Sequence, residues 1–382
     1  MNKEQKLLLY IINCSQFETS SSVVLDDVDL DDLYNEASHQ SVLGIIAPMI
    51  LEIQPDSKWE DAHYRQMASF IRYCHAEEEL KELLYNNKVQ FVVLKGNAAA
   101  ISYKEPSYRT MGDIDIQVLP RDFERARDLL LAAGYSYSHE PREGSRHHCL
   151  VKAGVEVELH KRFSHDIDLE DVIVPGIENR VIGVVEGHSF PMLPPLANGL
   201  VLLDHMRTHL KSGLGLRQVV DWMMYVYRNL DNEFWESSFR SVAASKGLEV
   251  LAVTATRMCQ IYLGLPLSFT WCSSADEKIC KELMECLLVS GNFGRKNGSG
   301  NSVETVSTSI RREGLFRWLQ IAGEHNWAAY RNHHWLKPFC WIYQAFRYAG
   351  QGLKAGRKGK ELLGDLDRSK ERYELLKKLG IS

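Results

Sequence analysis

Apolar residues recur every three or four positions over the first 86 residues of the chain, which is the spacing of one face of an amphipathic helix. The last and longest of these stretches carries Glu and Lys on its polar side. The pattern therefore predicts a helical N-terminal region. Its predicted helical segments are 2–14, 29–52 and 59–88.

The hydrophobic period changes at residue 89, where a short run rich in Val ends in Lys-Gly, as a buried strand that feeds a turn does. Asn97 is a plausible N-cap for a short helix, and Gly134 is placed to end a longer one. Two later runs alternate and are separated by Lys-Ala-Gly, which predicts a hairpin. These elements indicate a small mixed-sheet α+β core. Its predicted order is strand 89–96, helix 97–104, strand 113–120, helix 121–134 and the two strands within 147–163.

From residue 195 the helical period returns and predicts a bundle of four to six helices. The Gly-, Asn- and Ser-rich stretch that follows predicts a flexible loop, and it lacks the GxxxxGK[ST] pattern of a phosphate-binding loop. The last segment is helical and basic. The predicted regions are an N-terminal helical region (1–86), the α+β core (87–194), a helical domain (195–290), the flexible loop (291–309) and a basic C-terminal helical region (310–382).

Composition restricts the class of protein. The chain has 382 residues, of which 45% are hydrophobic and 25% charged, so it is long enough to bury a full core. Eight cysteines without a CxxC pair favour neither a disulfide framework nor a zinc knuckle. No signal peptide and no run of 18 apolar residues is evident, so we expect a cytoplasmic protein.

Two of the predicted core strands carry rows of acidic residues. Side chains alternate along a strand, so Asp113 and Asp115 share one face, and Glu156, Glu158 and His160 share a face of the later strand. Carboxylates so close together repel each other unless a cation lies between them. Oxygen ligands that converge from two strands suit Mg²⁺ or Mn²⁺ bound together with substrate phosphates. The strands that must then be neighbours are 89–96, 113–118 and 155–161.

The order of strand, LKG, short helix, R-x₃-DIDIQV, helix and VEVELH resembles the DNA polymerase β-like nucleotidyltransferase superfamily. Within it, the chain is similar to a bacterial nucleotidyltransferase group with LKG, R-x₃-DxD and ELH patterns. The resemblance implies that Asp113 and Asp115 are the metal-binding DxD pair and that Glu158 is the third carboxylate, with Glu156 as its rival. It covers residues 87–165 strongly and 195–290 weakly.

The resemblance also implies which residues bind the nucleotide phosphates. Where the wider superfamily has Gly-Ser, this chain has Lys95, Gly96 and Asn97, so Lys95 is expected to supply a point charge beside backbone N–H groups. Arg109 is a second phosphate candidate. His160 could hydrogen-bond a carboxylate or a phosphate, although a histidine satisfied by backbone groups is nearly as well supported.

The function implied is Mg²⁺-dependent (or Mn²⁺-dependent) transfer of a nucleoside monophosphate from a nucleoside triphosphate to a hydroxyl of an unknown small-molecule or protein acceptor. The alternative is a catalytically inactive nucleotide- or partner-binding module of the same fold. The missing serine favours this alternative, and the three retained carboxylates oppose it.

Other features of the sequence have a purely structural interpretation as well as a functional one. His205 and His209 have the spacing of a zinc helix but lack the Glu of HExxH, so zinc is not favoured. Arg217 and Asp221, four residues apart, favour a helix salt bridge over substrate contacts. Aromatic residues beside a basic end in 335–360 could contact a membrane surface or a partner, although burial within the chain is favoured. Nothing resembles a module that reads nucleic-acid sequence.

Overall fold

The computed structural model describes seven stretches of the chain: 1–17, 23–25, 28–141, 145–164, 167–292, 303–355 and 359–381. It confirms the α+β class. The described residues form one seven-stranded mixed sheet, and helices precede and follow it along the chain.

The N-terminal helical prediction is confirmed. Asp29 and Asp56 cap two of the helices by accepting hydrogen bonds from backbone N–H groups of the first turn. The long amphipathic stretch forms a single 30-residue helix whose buried side follows the sheet. The four helices are α1 (Lys3–Phe17), α2 (Leu30–His39), α3 (Leu43–Ile53) and α4 (Ser57–Asn86).

The sheet has seven strands, which are β1 (Phe91–Val93), β2 (Ile114–Val118), β3 (Ser136–Tyr137), β4 (His147–Lys152), β5 (Val155–His160), β6 (Val181–Val185) and β7 (His188–Met192). Their order in the sheet is β3-β4-β5-β2-β1-β7-β6. Strand β2 runs antiparallel to β1 and parallel to β5, so the centre of the sheet is mixed. The helices inserted between them are α5 (Asn97–Ala100), α6 (Phe123–Ala132) and α7 (Glu170–Glu178).

The local turn predictions in the core hold. Gly134 follows α6 with a φ of 90°, a conformation that glycine adopts without strain. The hairpin between β4 and β5 turns at Ala153 and Gly154, whose φ values are 49° and 74°. Two consecutive positive φ values are typical of the turn that matches the twist of antiparallel strands. The β6–β7 hairpin and α7 were not predicted from the sequence.

The predicted bundle is present as a series of helices from residue 195 onward. Here α10 continues through a π-helical turn (Trp235–Phe239) into α11. The helices up to residue 290 are α8 (Pro195–Leu210), α9 (Leu216–Asn229), α10 (Asn232–Phe234), α11 (Arg240–Ser245), α12 (Glu249–Tyr262) and α13 (Glu277–Ser290). The later helices are α14 (Val303–Glu313), α15 (Leu315–Asn326), α16 (Ala328–Asn332), α17 (Cys340–Ala355) and α18 (Gly359–Lys378).

The flexible-loop prediction for 291–309 is wrong at its end, because residues 303–309 belong to α14. Residues 293–302 lie outside the described residues. The predicted region boundaries otherwise stay predictions.

Buried apolar side chains form two main clusters. One joins the first three helices to the bundle, and it includes Leu8, Ile46 and Trp222. The other lies between the sheet, α4 and α6, and it includes Phe70 and Ile116. Because the first cluster spans both ends of the sequence, the N-terminal helices and the bundle fold as one layer beside the sheet.

The described aromatic side chains of the segment 335–360, which lie within 335–346, are largely not buried, contrary to the favoured interpretation. Trp335 is 71% exposed and Phe346 is 76% exposed, while Phe339 and Trp341 are also exposed. A partner or membrane surface for this face stays a prediction. Among the described residues, no helix is both long enough and apolar enough to cross a bilayer.

Candidate active site

The acidic rows of two strands meet at the centre of the sheet. Strands β2 and β5 are parallel neighbours, and their register places Asp115 opposite Glu158 and Gln117 opposite His160. Residues opposite each other on neighbouring strands share a face, so the two acidic rows converge. The prediction that these two strands and β1 are neighbours in one sheet is confirmed.

Asp115 lies at the centre of a compact charged cluster. It is fully buried, and its Oδ1 atom lies 2.7 Å from Nζ of Lys95 and 2.9 Å from Nε2 of His160. The same His160 nitrogen lies 3.3 Å from Oε2 of Glu158. Ligand atoms of Asp115, Glu158 and His160 lie within 4.8 Å of one another. Glu158, and not Glu156, is therefore the carboxylate that joins Asp115.

The two aspartates differ in their electrostatics. Asp113 directly precedes β2 and is half-buried. The charge of Asp115 and then burial raise its pKa to about 6, against an ordinary value of 3.8. Burial alone would raise the pKa of Asp115 too, but Lys95 and His160 outweigh burial and hold that pKa well below its usual range. The charge of Asp115 thus disfavours ionisation of Asp113, whereas Asp115 itself is fully ionised.

The remaining members of the cluster are held in their charged forms. Burial opposes charge on Glu158, yet the hydrogen bond from His160 lowers the pKa of the Glu158 carboxyl. Burial likewise opposes charge on His160 and Lys95, but the surrounding carboxylates raise both pKa values. The cluster therefore has a density of negative charge that Lys95 and His160 only partly neutralise.

The donor set fits a hard divalent cation. Mg²⁺ and Mn²⁺ prefer carboxylate oxygens, which Asp115 and Glu158 provide from one sheet face, and Asp113 lies on the adjoining cavity wall just before β2. Oδ2 of Asp115 is buried and has no hydrogen-bond partner among the described residues. A buried carboxylate oxygen without a partner is rare in proteins, because it forgoes the free energy of solvation.

The LKG turn places Lys95 and Gly96 on the cavity wall and turns Asn97 away from it. Gly96 has a φ of 56° and a ψ of −121°, a combination that essentially only glycine adopts. The N-cap of α5 is Gly96, so the prediction of Asn97 as the N-cap is wrong. The buried Asn97 side chain donates a hydrogen bond from Nδ2 to Glu77, 3.1 Å away, and so ties the turn to α4.

Arg109 lies against the first turns of α9. Its Nε and Nη2 atoms each lie 2.8 Å from a carboxylate oxygen of Asp221, and Tyr103 donates to the same carboxylate at 2.7 Å. Both charged side chains are buried. The expected salt bridge between Arg217 and Asp221 is wrong in its partner, because Arg109 takes that position.

Arg217 lines the site, although its spacing from Asp221 favoured a helix salt bridge over substrate contacts. Its Nη1 donates to the carbonyl of Thr110 at 3.2 Å, and its Nε is buried without a hydrogen-bond partner among the described residues. The side chain is only 9% exposed. Burial and the neighbouring charge of Arg109 lower the pKa of the Arg217 guanidinium, so its positive charge is incompletely balanced.

Many of these groups line a cavity of about 230 Å³ between the sheet and helices α8 and α9, and the fully buried Asp115 lies behind its wall. His205 and His209 of α8 also line it. Burial and the charge of Lys95 lower the pKa of His209 to about 3 and that of His205 well below its usual value, so both rings are neutral at pH 7. The lining residues are Lys95, Gly96, Arg109, Gly112, Asp113, Arg146, His147, Glu158, His160, Phe163, Asp204, His205, Thr208, His209 and Arg217.

Comparison with protein-family models matches residues 26–264 to a family described as uncharacterised nucleotidyltransferase. No curated protein and no solved structure matches the chain. The match covers more than half of the chain, and it includes every residue of the carboxylate cluster and of the cavity wall. The chain therefore belongs to the uncharacterised nucleotidyltransferase family.

Proposed function

We propose that the protein transfers a nucleoside monophosphate from a nucleoside triphosphate to a hydroxyl group, and that the reaction depends on Mg²⁺ or Mn²⁺. The observation that carries the proposal is the pairing of Asp115 with Glu158 on adjacent parallel strands, with a buried oxygen on Asp115 that has no partner in the described part of the chain. The order of these motifs supports a polymerase β-like ancestry for the site.

In this proposal Asp113, Asp115 and Glu158 hold the divalent cation. His160 fixes the orientation of two of these carboxylates through its Nε2 atom. What a divalent cation supplies at such a site is neutralisation of the triphosphate charge and a lower pKa for the attacking hydroxyl. The raised pKa of Asp113 supports this assignment, because a cation beside it would relieve the repulsion from Asp115.

The triphosphate is proposed to lie against Lys95, Gly96 and Arg217. Arg217 lines the cavity with an incompletely balanced charge and an Nε that no described residue hydrogen-bonds, whereas Arg109 is already bound on two nitrogens by Asp221. A phosphate oxygen would complete the hydrogen bonding of the Arg217 guanidinium. Arg109 and Asn97 then support the site from behind, without touching the nucleotide.

The proposed reaction joins the acceptor oxygen to the α-phosphorus and breaks the bond from that phosphorus to the bridging oxygen of the β-phosphate. Pyrophosphate leaves, and the hydroxyl proton passes to solvent. A cavity of about 230 Å³ is smaller than a usual ligand pocket, so the phosphates fill it and the base, the sugar and the acceptor lie at its mouth. The acceptor is a small molecule or a protein side chain with a hydroxyl group.

A second candidate function is favoured by the position of Lys95. Its ammonium group lies 2.7 Å from Asp115, where it already balances part of the acidic charge. If this ion pair is permanent, the protein binds a nucleotide or a partner without turnover. The lysine would then replace the cation that the reaction needs.

The test is calorimetric titration with each nucleoside triphosphate, with and without Mg²⁺, followed by measurement of pyrophosphate release. We expect Mg²⁺-dependent binding that Asp115→Asn abolishes and that Glu156→Gln, a change on the same sheet face outside the cavity, retains. Metal-independent binding without pyrophosphate release would favour the second candidate. Equal Mg²⁺-dependent binding by the parent and Asp115→Asn would refute the proposed metal site.

A further inference from the structure

A second set of metal-binding side chains lies beside the carboxylates on the same sheet face. Strand β4 is the antiparallel neighbour of β5, and their register places Cys149 opposite Glu158 and His147 opposite His160. The proposed nucleotidyl-transfer reaction uses neither His147 nor Cys149. The face therefore changes from oxygen donors on β2 to nitrogen and sulfur donors on β4.

The distances within this second set match a small metal ion. Ligand atoms of His147, Cys149 and Glu158 all lie within 4.8 Å of one another. Sγ of Cys149 lies 3.8 Å from Oε1 of Glu158. For tetrahedral zinc, bond lengths of about 2.3 Å to sulfur and about 2.1 Å to oxygen place those two atoms roughly 3.6 Å apart.

A metal ion could reach this second set from the cavity. His147 and Glu158 are half-buried and line the cavity, which gives a metal ion a path from solvent, and Cys149 lies behind them. Nδ1 of His147 is buried and has no hydrogen-bond partner among the described residues. An imidazole nitrogen without a partner beside a thiol and a carboxylate is a donor set that a metal ion can complete, once the Cys149 thiol, whose pKa is raised by burial and by Glu158, has lost its proton.

We propose that His147, Cys149 and Glu158 form a binding site for Zn²⁺. Nitrogen and sulfur donors select a borderline metal such as Zn²⁺ and disfavour Mg²⁺, which takes oxygen ligands. The Cys149 thiol loses its proton to solvent when the sulfur binds the metal. Three protein ligands leave one tetrahedral position for water.

The two proposed metals share one ligand. Glu158 belongs to the Zn²⁺ set through Oε1 and to the Mg²⁺ set through its position opposite Asp115. Because one carboxylate cannot serve both ions fully and two nearby cations repel each other, Zn²⁺ bound here weakens Mg²⁺-dependent nucleotide binding. This second step rests on the proposed function, whereas the Zn²⁺ site itself does not.

The first experiment measures metal binding without nucleotide. The reduced protein is titrated with Zn²⁺ by calorimetry and with Co²⁺ by absorption spectroscopy, which detects a cobalt–thiolate charge-transfer band. We expect one ion per chain with a thiolate band in the parent. Cys149→Ser should abolish that band, and Cys149→Ser, His147→Ala and Glu158→Gln should each weaken Zn²⁺ binding at least tenfold, since even loss of an outer-shell partner costs roughly 10- to 100-fold.

Two matched variants control for general effects. His148 adjoins His147 but packs on Phe123 on the opposite face, with ring centroids 4.9 Å apart, so His148→Ala should keep the thiolate band. Cys74 is a half-buried cysteine on α4, so Cys74→Ser should keep it too. Circular dichroism identifies any variant that fails to fold. A parent without a thiolate band, or a folded Cys149→Ser variant that binds Zn²⁺ as tightly as the parent, overturns the site.

The second experiment tests the shared ligand. Nucleotide binding in the presence of Mg²⁺ is measured with and without one equivalent of Zn²⁺. We expect Zn²⁺ to weaken binding in the parent and to have a smaller effect in Cys149→Ser. If no variant binds nucleotide at any metal concentration, the proposed function fails while the cobalt spectrum still decides the Zn²⁺ site. An equal effect of Zn²⁺ on both proteins refutes the competition for Glu158.

Discussion

Asp113→Asn and Asp115→Asn are expected to change the stability of the metal-free protein in opposite directions. From the sequence alone, two carboxylates on one strand face repel each other, so neither substitution should be harmful. The structure separates them, because Lys95 and His160 both contact Asp115, while Asp113 lies beside that charge with a raised pKa.

The magnitude for Asp113 follows from its pKa. A pKa of about 6 in the folded protein, against 3.8 ordinarily, is a difference of about two units, or about 3 kcal/mol at 1.36 kcal/mol per unit. Because the folded-state pKa is raised, the folded protein binds the proton more tightly, and the ionised carboxylate destabilises it fully above pH 6 and not at all below about pH 4. Asp113→Asn should therefore stabilise by up to about 3 kcal/mol at pH 8, and by about half of that at pH 5.

The opposite sign is expected for Asp115. Its pKa is lowered in the folded protein, so its ionised form stabilises the fold above the ordinary carboxyl pKa. Asp115→Asn leaves the ammonium of Lys95, which is only 12% exposed, without its nearest counter-charge. Removal of one partner from a buried ion pair typically destabilises a protein by about 3–5 kcal/mol.

The assay is thermal unfolding followed by circular dichroism, in EDTA, at pH 8 and pH 5. For 382 residues an unfolding entropy of about 0.8 kcal/mol/K converts 3 kcal/mol into a shift of roughly 4 °C, upward for Asp113→Asn and downward for Asp115→Asn. Glu156→Gln is the control for loss of one charge from the same sheet face. Shifts of the same sign for both aspartates, or an Asp113→Asn shift that is equally large at both pH values, would refute the electrostatic reasoning.

Three further predictions concern the cavity wall and the ion pair behind it. Arg217→Ala should weaken Mg²⁺-dependent triphosphate binding roughly 10- to 100-fold in calorimetry, as loss of a charged hydrogen bond does, and unchanged affinity would exclude Arg217 from the phosphate site. Asp221→Asn should destabilise the fold by about 3–5 kcal/mol in urea unfolding, because buried Arg109 loses its partner, and a loss below about 1 kcal/mol would contradict that role. Gly96→Ala should destabilise the fold by about 1–3 kcal/mol, because alanine is strained in the backbone conformation of Gly96, although its added Cβ meets no described atom within 4 Å. An unchanged melting temperature would show that the turn relaxes freely.

The central part of the sheet could be predicted from sequence because its signals are local. Period-two alternation and a turn with glycine identify β4 and β5, and the run ending in Lys-Gly identifies β1. The β6–β7 hairpin escaped notice because Val181 and Val184 are apolar yet exposed and Pro191 lies within a strand, which blurs the alternation. Its turn at Glu186 and Gly187, both with positive φ, was the available signal.

The carboxylate cluster could also be predicted, because alternation alone decides which residues of a strand share a face. The partners of the positively charged side chains could not be predicted in this way. Lys95 reaches Asp115 across a strand pairing, and Arg109 reaches Asp221 over 112 positions of sequence. The first contact depends on the pairing of β1 with β2 and the second on how α9 packs over the sheet, and no local pattern encodes either side-chain contact. The spacing of Arg217 and Asp221 indicated a helix pair, but tertiary packing gave Asp221 a different partner.

Both proposed metal sites depend on the register of β5 with its two neighbouring strands. Ala153 and Gly154 set the register in which Cys149 faces Glu158, and β5 then carries Glu158 to its place beside Asp115. A slip of one residue in that hairpin would move Glu158 to the apolar face and bring Leu159 into its position. Val157 and Leu159 are fully buried, so the hydrophobic core opposes the slip. The packing of the apolar face therefore determines which donors meet on the polar face.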